Sequence, residues 1–273
     1  MRNVANISPL RLPTLEQLGT DLLRVRPVRR AFSLLIPFAC IAAYIWLAWL
    51  RIWPLAVLVL MYLSFATYGS ISHDLVHRNL GLSRRWNESL LTIIELLAFR
   101  SGHAYRLAHL HHHARFPHDD DIEGASAKMS LPRTLVEGMI FQPRIMLWAI
   151  KHHGRKHPIV IIECAAALLL LALSIASIKV TPIFAIYAGL MIAGSWVIPL
   201  VTAHLPHDAE GSSRLLQTRL FRGKVASIIA MQHLYHLEHH LYPGVPHHHW
   251  PKLARRLDPY FQSAGIKAVV LGF

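Results

Sequence analysis

Three histidine clusters carry the chemistry of this chain: His73-Asp-Leu-Val-His77, His109-Leu-His-His112-His113 and His236-Leu-Glu-His239-His240. Each places imidazoles at i, i+3 or i+4, which lie together on one side of a helix. A neutral imidazole is the commonest metal-binding side chain. Eight histidines match these spacings: His73, His77, His109, His112, His113, His236, His239 and His240. A structural zinc site takes four protein ligands and a catalytic one usually three, so eight suit two ions. All-imidazole ligation without thiolate fits zinc, copper, iron or nickel, and spacing alone does not choose among them. Ligands of this kind need hydrogen-bond acceptors to orient them. Asp74, Asp119, Asp120, Asp121, Asp208 and Glu238 are the candidates.

The elements that must position these clusters are membrane helices. Hydrophobic residues make up 53% of the 273 residues and charged ones only 16%, against a usual charged share of about 25%. Four apolar runs approach spanning length, Ala31–Leu50, Pro54–Ser72, Ile159–Ile178 and Pro182–Ala203. Buried core helices of a large soluble protein are the alternative. Four nearly charge-free runs in so short a chain would leave such a protein little polar surface. Met1–Arg30 carries Glu16 and Asp21 and has no compact apolar core, which argues against a cleaved signal peptide. Cys40 and Cys164 both fall inside expected spans and read as free thiols.

Charge sets the expected orientation. Of the 28 Lys and Arg, six precede the first run, twelve lie between the second and third, and eight follow the fourth. Only Arg51 and Lys179 remain for the other side. The positive-inside rule then makes both termini and the middle loop cytoplasmic, in 1–30, 73–158 and 204–273. The net charge of +13 is therefore mainly a cytoplasmic surface charge suited to anionic lipid, with docking of an acidic electron-transfer protein a second use. No nucleic-acid motif appears. The runs form two hairpins, turning at Arg51-Ile-Trp-Pro54 and Lys179-Val-Thr-Pro182. Each returns the chain to the cytoplasm just before histidines, and none of the 20 histidines lies in the body of a span.

The expected architecture is thus an all-α integral membrane protein, one domain over 1–273. Four transmembrane helices form two hairpins, and a cytoplasmic helical cap holds a histidine-rich di-metal site. Within the cap, Trp86–Phe99 reads as an interfacial helix, Leu135–Ile150 as a helix interrupted at Pro143, and Arg219–Leu241 as a helix carrying the third cluster. Glu163, about one turn into the third span, reads as a group reaching the interface.

The order His-x3-His, His-x2-His-His, His-x2-His-His, interleaved with two hairpins, resembles the membrane fatty acid desaturase superfamily. That superfamily includes acyl-lipid desaturases and related carotenoid hydroxylases and ketolases. Tyr235-His-Leu-Glu-His-His-Leu-Tyr-Pro-Gly-Val-Pro246 is similar to its third box and tail, and Leu205-Pro-His207 to a segment of the carotenoid-modifying branch. Asp119-Asp-Asp121 sits where relatives often carry an acidic stretch. The resemblance implies a non-haem centre of two irons that activates O2 and removes hydrogen from an unactivated C–H bond of a lipid. Loss of a second hydrogen gives a double bond; oxygen transfer gives an alcohol. It also makes His207 a ninth ligand. His204, one turn away, departs from relatives, which often have an aromatic residue there. Both outcomes need two external electrons. The chain has no Gly-rich nucleotide fingerprint and no fused haem domain, so a separate ferredoxin-like or cytochrome-type donor with its reductase is implied.

The other histidines read less sharply. His233, one turn before the third box, is a ligand or supports one. His103 and His118 suit local hydrogen bonds. His111, His152, His153, His157 and His247–His249 read as surface. A fatty acyl desaturase of the bacterial inner membrane is the first functional reading and a carotenoid hydroxylase or ketolase the next. A zinc transporter would place polar ligands inside its spans, where these have almost none. A zinc hydrolase would show His-Glu-x-x-His, which is missing.

Overall fold

The computed structural model describes residues 11–223, 225, 228 and 232–271, except the side chains of 65 and 66. The first ten residues of the expected cytoplasmic N-terminal segment lie outside them. Almost all regular structure is helix. A short α1 (Leu15–Leu18) is capped by Thr14, whose hydroxyl accepts from the Gln17 amide while the Gln17 side chain answers the Thr14 amide. Helix α2 (Pro27–Trp49) starts at a proline, whose missing N–H costs nothing there. Its end is set by Arg51, at φ 60°. The amide of Arg51 returns to Ala48 and that of Ile52 to Leu47, closing the last turn. Helix α3 (Trp53–Ala66) comes directly after and packs along α2.

Among the described residues, four helical stretches are long and apolar enough to cross a membrane: Thr20–Trp49, Trp53–Val76, Pro158–Lys179 and Ile183–His204. They fall within a few residues of the expected runs, except that the first begins earlier. Their outward faces carry Trp46, Leu58, Leu168, Leu173 and Ile178, all more than half exposed. In water such a surface would be costly; against lipid tails it costs nothing. Helices α9 (Pro158–Ala176) and α10 (Ile183–Ser195) pack on each other, and α10 also lies against α3. Tyr44, Leu60, Leu63, Tyr187 and Met191 fill the space between α2, α3 and α10.

A π-helical turn lies near the end of the second spanning stretch, at Thr67–Ile71, and another ends the fourth, at Leu200–His204. One extra residue per turn rotates the next stretch of chain about the helix axis, and such turns cluster at functional sites. The first leads into α4 (Ser72–His77), the second to His207. Next come α5 (Arg84–Leu96), α6 (Gly102–Arg115), α7 (Leu131–Gly138) and α8 (Phe141–His153). A shared core of Leu75, Leu91, Ile94, Tyr105, Phe141 and Ile145 packs α4, α5, α6 and α8 together. The expected helix over Leu135–Ile150 is two helices. The break comes at Met139–Ile140, and Pro143 stands in the first turn of α8, where it needs no hydrogen bond.

The C-terminal part departs further from expectation. Arg219–Leu241 is not one helix. Phe221–Arg222 is a β1 strand paired in parallel with β2, Val269–Val270. Gln232 is left-handed at φ 71°, and regular helix resumes as a short turn at His233–Tyr235 and then α11, His236–Leu241. Residues 224, 226–227 and 229–231 of that expectation lie outside the described residues. Helix α12 (Trp250–Ser263) buries Trp250, Leu253, Leu257 and Phe261 against α1 and α11.

Candidate metal centre

The four chain segments bring nine imidazoles together in two groups. His73, His77, His109, His113 and His239 form one; His112, His207, His236 and His240 form the other. Within each group, one candidate ligand atom per residue lies within 4.8 Å of all the others. All nine are the residues singled out as ligands from sequence.

Helical spacing explains the division. On α6, His109 and His113 are four apart and face the first group, while His112 faces the second. On α11, His236 and His240 are four apart and face the second group, while His239 faces the first. Residues at i and i+4 are offset by only about 40° around a helix, and the i+3 residue sits on the other flank. The His-x2-His-His pattern is therefore a helix wedged between two sites, used twice. Helix α4 adds His73 and His77 to the first group. His207 completes the second from beyond the fourth spanning stretch.

The Nε2 atoms converge. His239 Nε2 stands 3.0 Å from that of His73 and 2.8 Å from that of His113, which is 3.1 Å from that of His109. In the second group His207 Nε2 is 3.1 Å from those of His112 and His240, and His240 Nε2 is 3.1 Å from that of His236. Ligand nitrogens about 2.1 Å from an ion and at right angles to each other would stand about 3.0 Å apart, so the spacing fits an ion at the centre of each group. The Nδ1 sides are held by acceptors in three cases. Asp121 takes His112 at 2.7 Å, Glu123 takes His109 at 3.1 Å, and the Ala203 carbonyl takes His207 at 3.1 Å. An acceptor there fixes the proton on Nδ1 and leaves Nε2 free to ligate.

The site is buried. His207 and His239 are wholly inaccessible, and His73, His109, His112 and His236 nearly so. Burial, reinforced by neighbouring imidazoles, pushes His113, His207, His236, His239 and His240 well below the ordinary histidine range. It pushes His77 down to about 2, helped by His109 and Arg106. All six are therefore neutral, the form that binds metal. His112 is the exception: burial lowers it, but the Asp121 carboxylate more than offsets this and raises it.

Of the acceptors expected from sequence, Asp121 is the one that orients a clustered imidazole. Asp119 pairs with Lys128 and Asp120 with Arg115. Asp208 accepts from the Glu210 amide. Asp74 holds His247, its carboxylate taking the ring nitrogen at 2.7 Å and the backbone amide at 3.0 Å. Glu238 meets Arg222 at 2.7 Å, and burial pushes its carboxyl up to about 7. His247 is thus buried rather than at the surface, and its neighbour His249 reaches the Leu22 carbonyl. His204 contacts Thr134 and the Ser126 carbonyl, and lies outside both groups. So does His233, whose ring fills the space beside Gly69: a Cβ there would lie 1.5 Å from it.

Three further residues escaped the sequence reading. Glu123 orients His109. Trp250, 1% exposed, packs its ring 5.3 Å from His73 and 5.0 Å from His239. Arg106 caps α4 by donating to the carbonyls of Leu75 at 2.8 Å and Val76 at 3.2 Å. Its guanidinium also pairs with Glu88, which is 2.9 Å from His103. On the other side of the His103 ring stands Glu163, at 2.8 Å. Glu163 is 1% exposed and also accepts from Thr92, Ser101 and the His103 amide, so it does not reach the interface. The desolvation of this carboxylate is offset by four donors.

Two cavities bear on the site, and the second of them is lined by clustered histidines. One of about 320 Å³ is almost wholly apolar and is lined by Phe99, Arg100, Met146, Ala167, Leu168 and Ile192 among others. Arg100 sits 5.3 Å over the ring of Tyr68, which in turn lines a small pocket with His73, His109 and His112. The other cavity, about 480 Å³, is polar and reaches His113 and His240, one from each group, beside Arg214 and His118. A comparison with curated proteins finds no match. The family described as fatty acid desaturase matches residues 47–270, and the chain accordingly belongs to the fatty acid desaturase family.

Proposed function

We propose that the protein is an O2-dependent membrane oxidoreductase with two non-haem irons that acts on unactivated C–H bonds of a lipid, first of all as a fatty acyl desaturase. The single observation that carries this is the division of nine imidazoles, six of them buried, into two adjoining groups in a chain of this family. His73, His77, His109, His113 and His239 would hold one iron, and His112, His207, His236 and His240 the other. The irons supply O2 activation and the removal of hydrogen. The protein residues orient and exclude. Asp121 and Glu123 hold two ligand rings in one tautomer, Trp250 walls the first group, and burial keeps bulk water away from the ligand nitrogens.

The apolar cavity suits a hydrocarbon chain. It lies between the segment after α5 and helices α8, α9 and α10, and Arg100 on its wall packs over Tyr68, which lines the histidine pocket. The polar cavity at His113 and His240 suits electron delivery from a ferredoxin-like or cytochrome-type donor, since it touches both groups from the solvent side and carries Arg214. Two hairpins with both termini, and a cap holding the site on the cytoplasmic face, complete this reading of the topology.

Carotenoid hydroxylation or ketolation is the second reading, supported by Leu205-Pro-His207, which places His207 in the second group. One experiment separates them. The protein is expressed in hosts making fatty acids or carotenoids, and the lipids are weighed by mass spectrometry beside metal analysis of the purified chain. A desaturase removes two hydrogens from an acyl chain and contains about two irons. Oxygen gained on a carotenoid selects the second reading. Stoichiometric zinc with no O2 requirement overturns both. In the same hosts, Ala167→Trp, which narrows the apolar cavity, shifts the position or chain length of the product.

A further inference from the structure

A third cavity, about 330 Å³, lies at the end of the molecule where α2 begins and the second spanning stretch ends. Its polar walls are Arg29, Ser33, Ser70, Gln232, His247 and His248. Ser70 Oγ, Gln232 Oε1 and His248 Nδ1 are buried atoms with no hydrogen-bond partner among the described residues. Three such atoms around one cavity form a cost that a ligand removes, since each has given up its bonds to water without a replacement. No carboxylate lines the cavity among the described residues. Asp74, whose carboxylate stands within 4.8 Å of ring nitrogens of His247 and His248, is fully buried and spends both oxygens on His247. Arg29 is exposed, and Arg26 and Arg30 stand beside it at the start of α2. One to two turns further into the span the lining becomes apolar, at Phe32, Ile36 and Tyr62. Phe32 is 57% exposed and Tyr62 47%.

A positive, donor-rich mouth continuing into an apolar, outward-facing wall matches an amphiphile with an anionic head. We propose that this cavity binds the phosphate end of a membrane phospholipid. The phosphate oxygens accept from Arg29 and the Ser70 hydroxyl, a headgroup hydroxyl donates to Gln232, and an acyl chain runs along Phe32, Ile36 and Tyr62. The depth is right, because phosphates lie at the membrane interface, where arginines flanking a span are found. The site adjoins the metal centre. Gly69 and His233, next in sequence to Ser70 and Gln232, line the small pocket beside His73 and His109.

The inference is separate from the iron chemistry and is tested without turnover. The full chain is purified in a neutral detergent and mixed with phosphatidylglycerol or with diacylglycerol of the same chains, and bound lipid is counted by native mass spectrometry. One phosphatidylglycerol is expected to be retained, at least tenfold more tightly than diacylglycerol. Arg29→Gln and Ser70→Ala should each weaken it at least fivefold, and Arg29→Lys should largely restore it. Metal content and melting temperature of the Arg29 variants, at a position that belongs to neither histidine group, report intact folding. Equal retention of diacylglycerol, or wild-type binding by both Arg29→Gln and Ser70→Ala, overturns the proposal. So does a free fatty acid that displaces phosphatidylglycerol at equal concentration, which would assign the site to a carboxylate.

Discussion

His207 and His204 lie one turn apart after the fourth spanning stretch, and only His207 joins a group of converging nitrogens. Replacing His207 with Ala should abolish turnover and remove more than half of the bound metal, because the intact group must then meet the shared ordering cost alone. His204→Ala should keep both, and elemental analysis of the purified variants checks this. Burial also sets a pH dependence. In the unfolded chain these imidazoles take protons near pH 6.5. The folded, metal-free protein refuses them at His77, His113, His207, His236, His239 and His240. Below that pH the unfolded state binds more protons, so stability falls by up to about 1.4 kcal/mol per group per pH unit. The melting temperature of the metal-free protein should drop steadily from pH 6.5 to 5. His112, whose raised value works the other way, offsets only part of it. The clusters were legible at this scale because helical spacing is written directly in sequence. Glu123 and His247 were not, since each acts through a partner, His109 or Asp74, that only the fold brings near.

Helix α4 carries two of the nine imidazoles in only six residues, too short to hold its shape alone. It is held from outside. Arg106 and Asn87 donate to its terminal carbonyls, and Ser72 donates to buried Glu95, which pairs with Arg100. Arg106→Met removes two of these bonds and leaves Glu88 to Arg78 and His103. It should lower iron occupancy of the first group more than tenfold and weaken that of the second group to a smaller degree through the shared helices, read by Mössbauer spectroscopy. The spanning helices were legible because about twenty apolar residues in a row admit few other uses. The Arg219–Leu241 expectation failed because Phe221–Arg222 pairs with Val269–Val270, almost fifty residues on, and no local period records that. Glu163 was misread for a related reason. Its depth in the span is a sequence property, but its donors Thr92, Ser101 and His103 come from the α5–α6 region.

At the scale of the whole molecule, the basic residues and the histidines crowd the same ends of the four spanning stretches. Fusions of a reporter active only in the cytoplasm should fluoresce at both termini. A fusion at the Lys179 turn should stay dark, and the reverse pattern would place the site on the other face. The wedge arrangement of α6 and α11 has a consequence for metal loading. Each helix gives imidazoles to both groups, so an ion entering one group pins two helices that the other group also needs. The ordering cost is met once, and the second ion binds to an already assembled site. Titration with less than two equivalents of metal should therefore yield a mixture of empty and doubly loaded molecules, with few carrying a single ion. Loading becomes a switch between two states rather than a ladder of three.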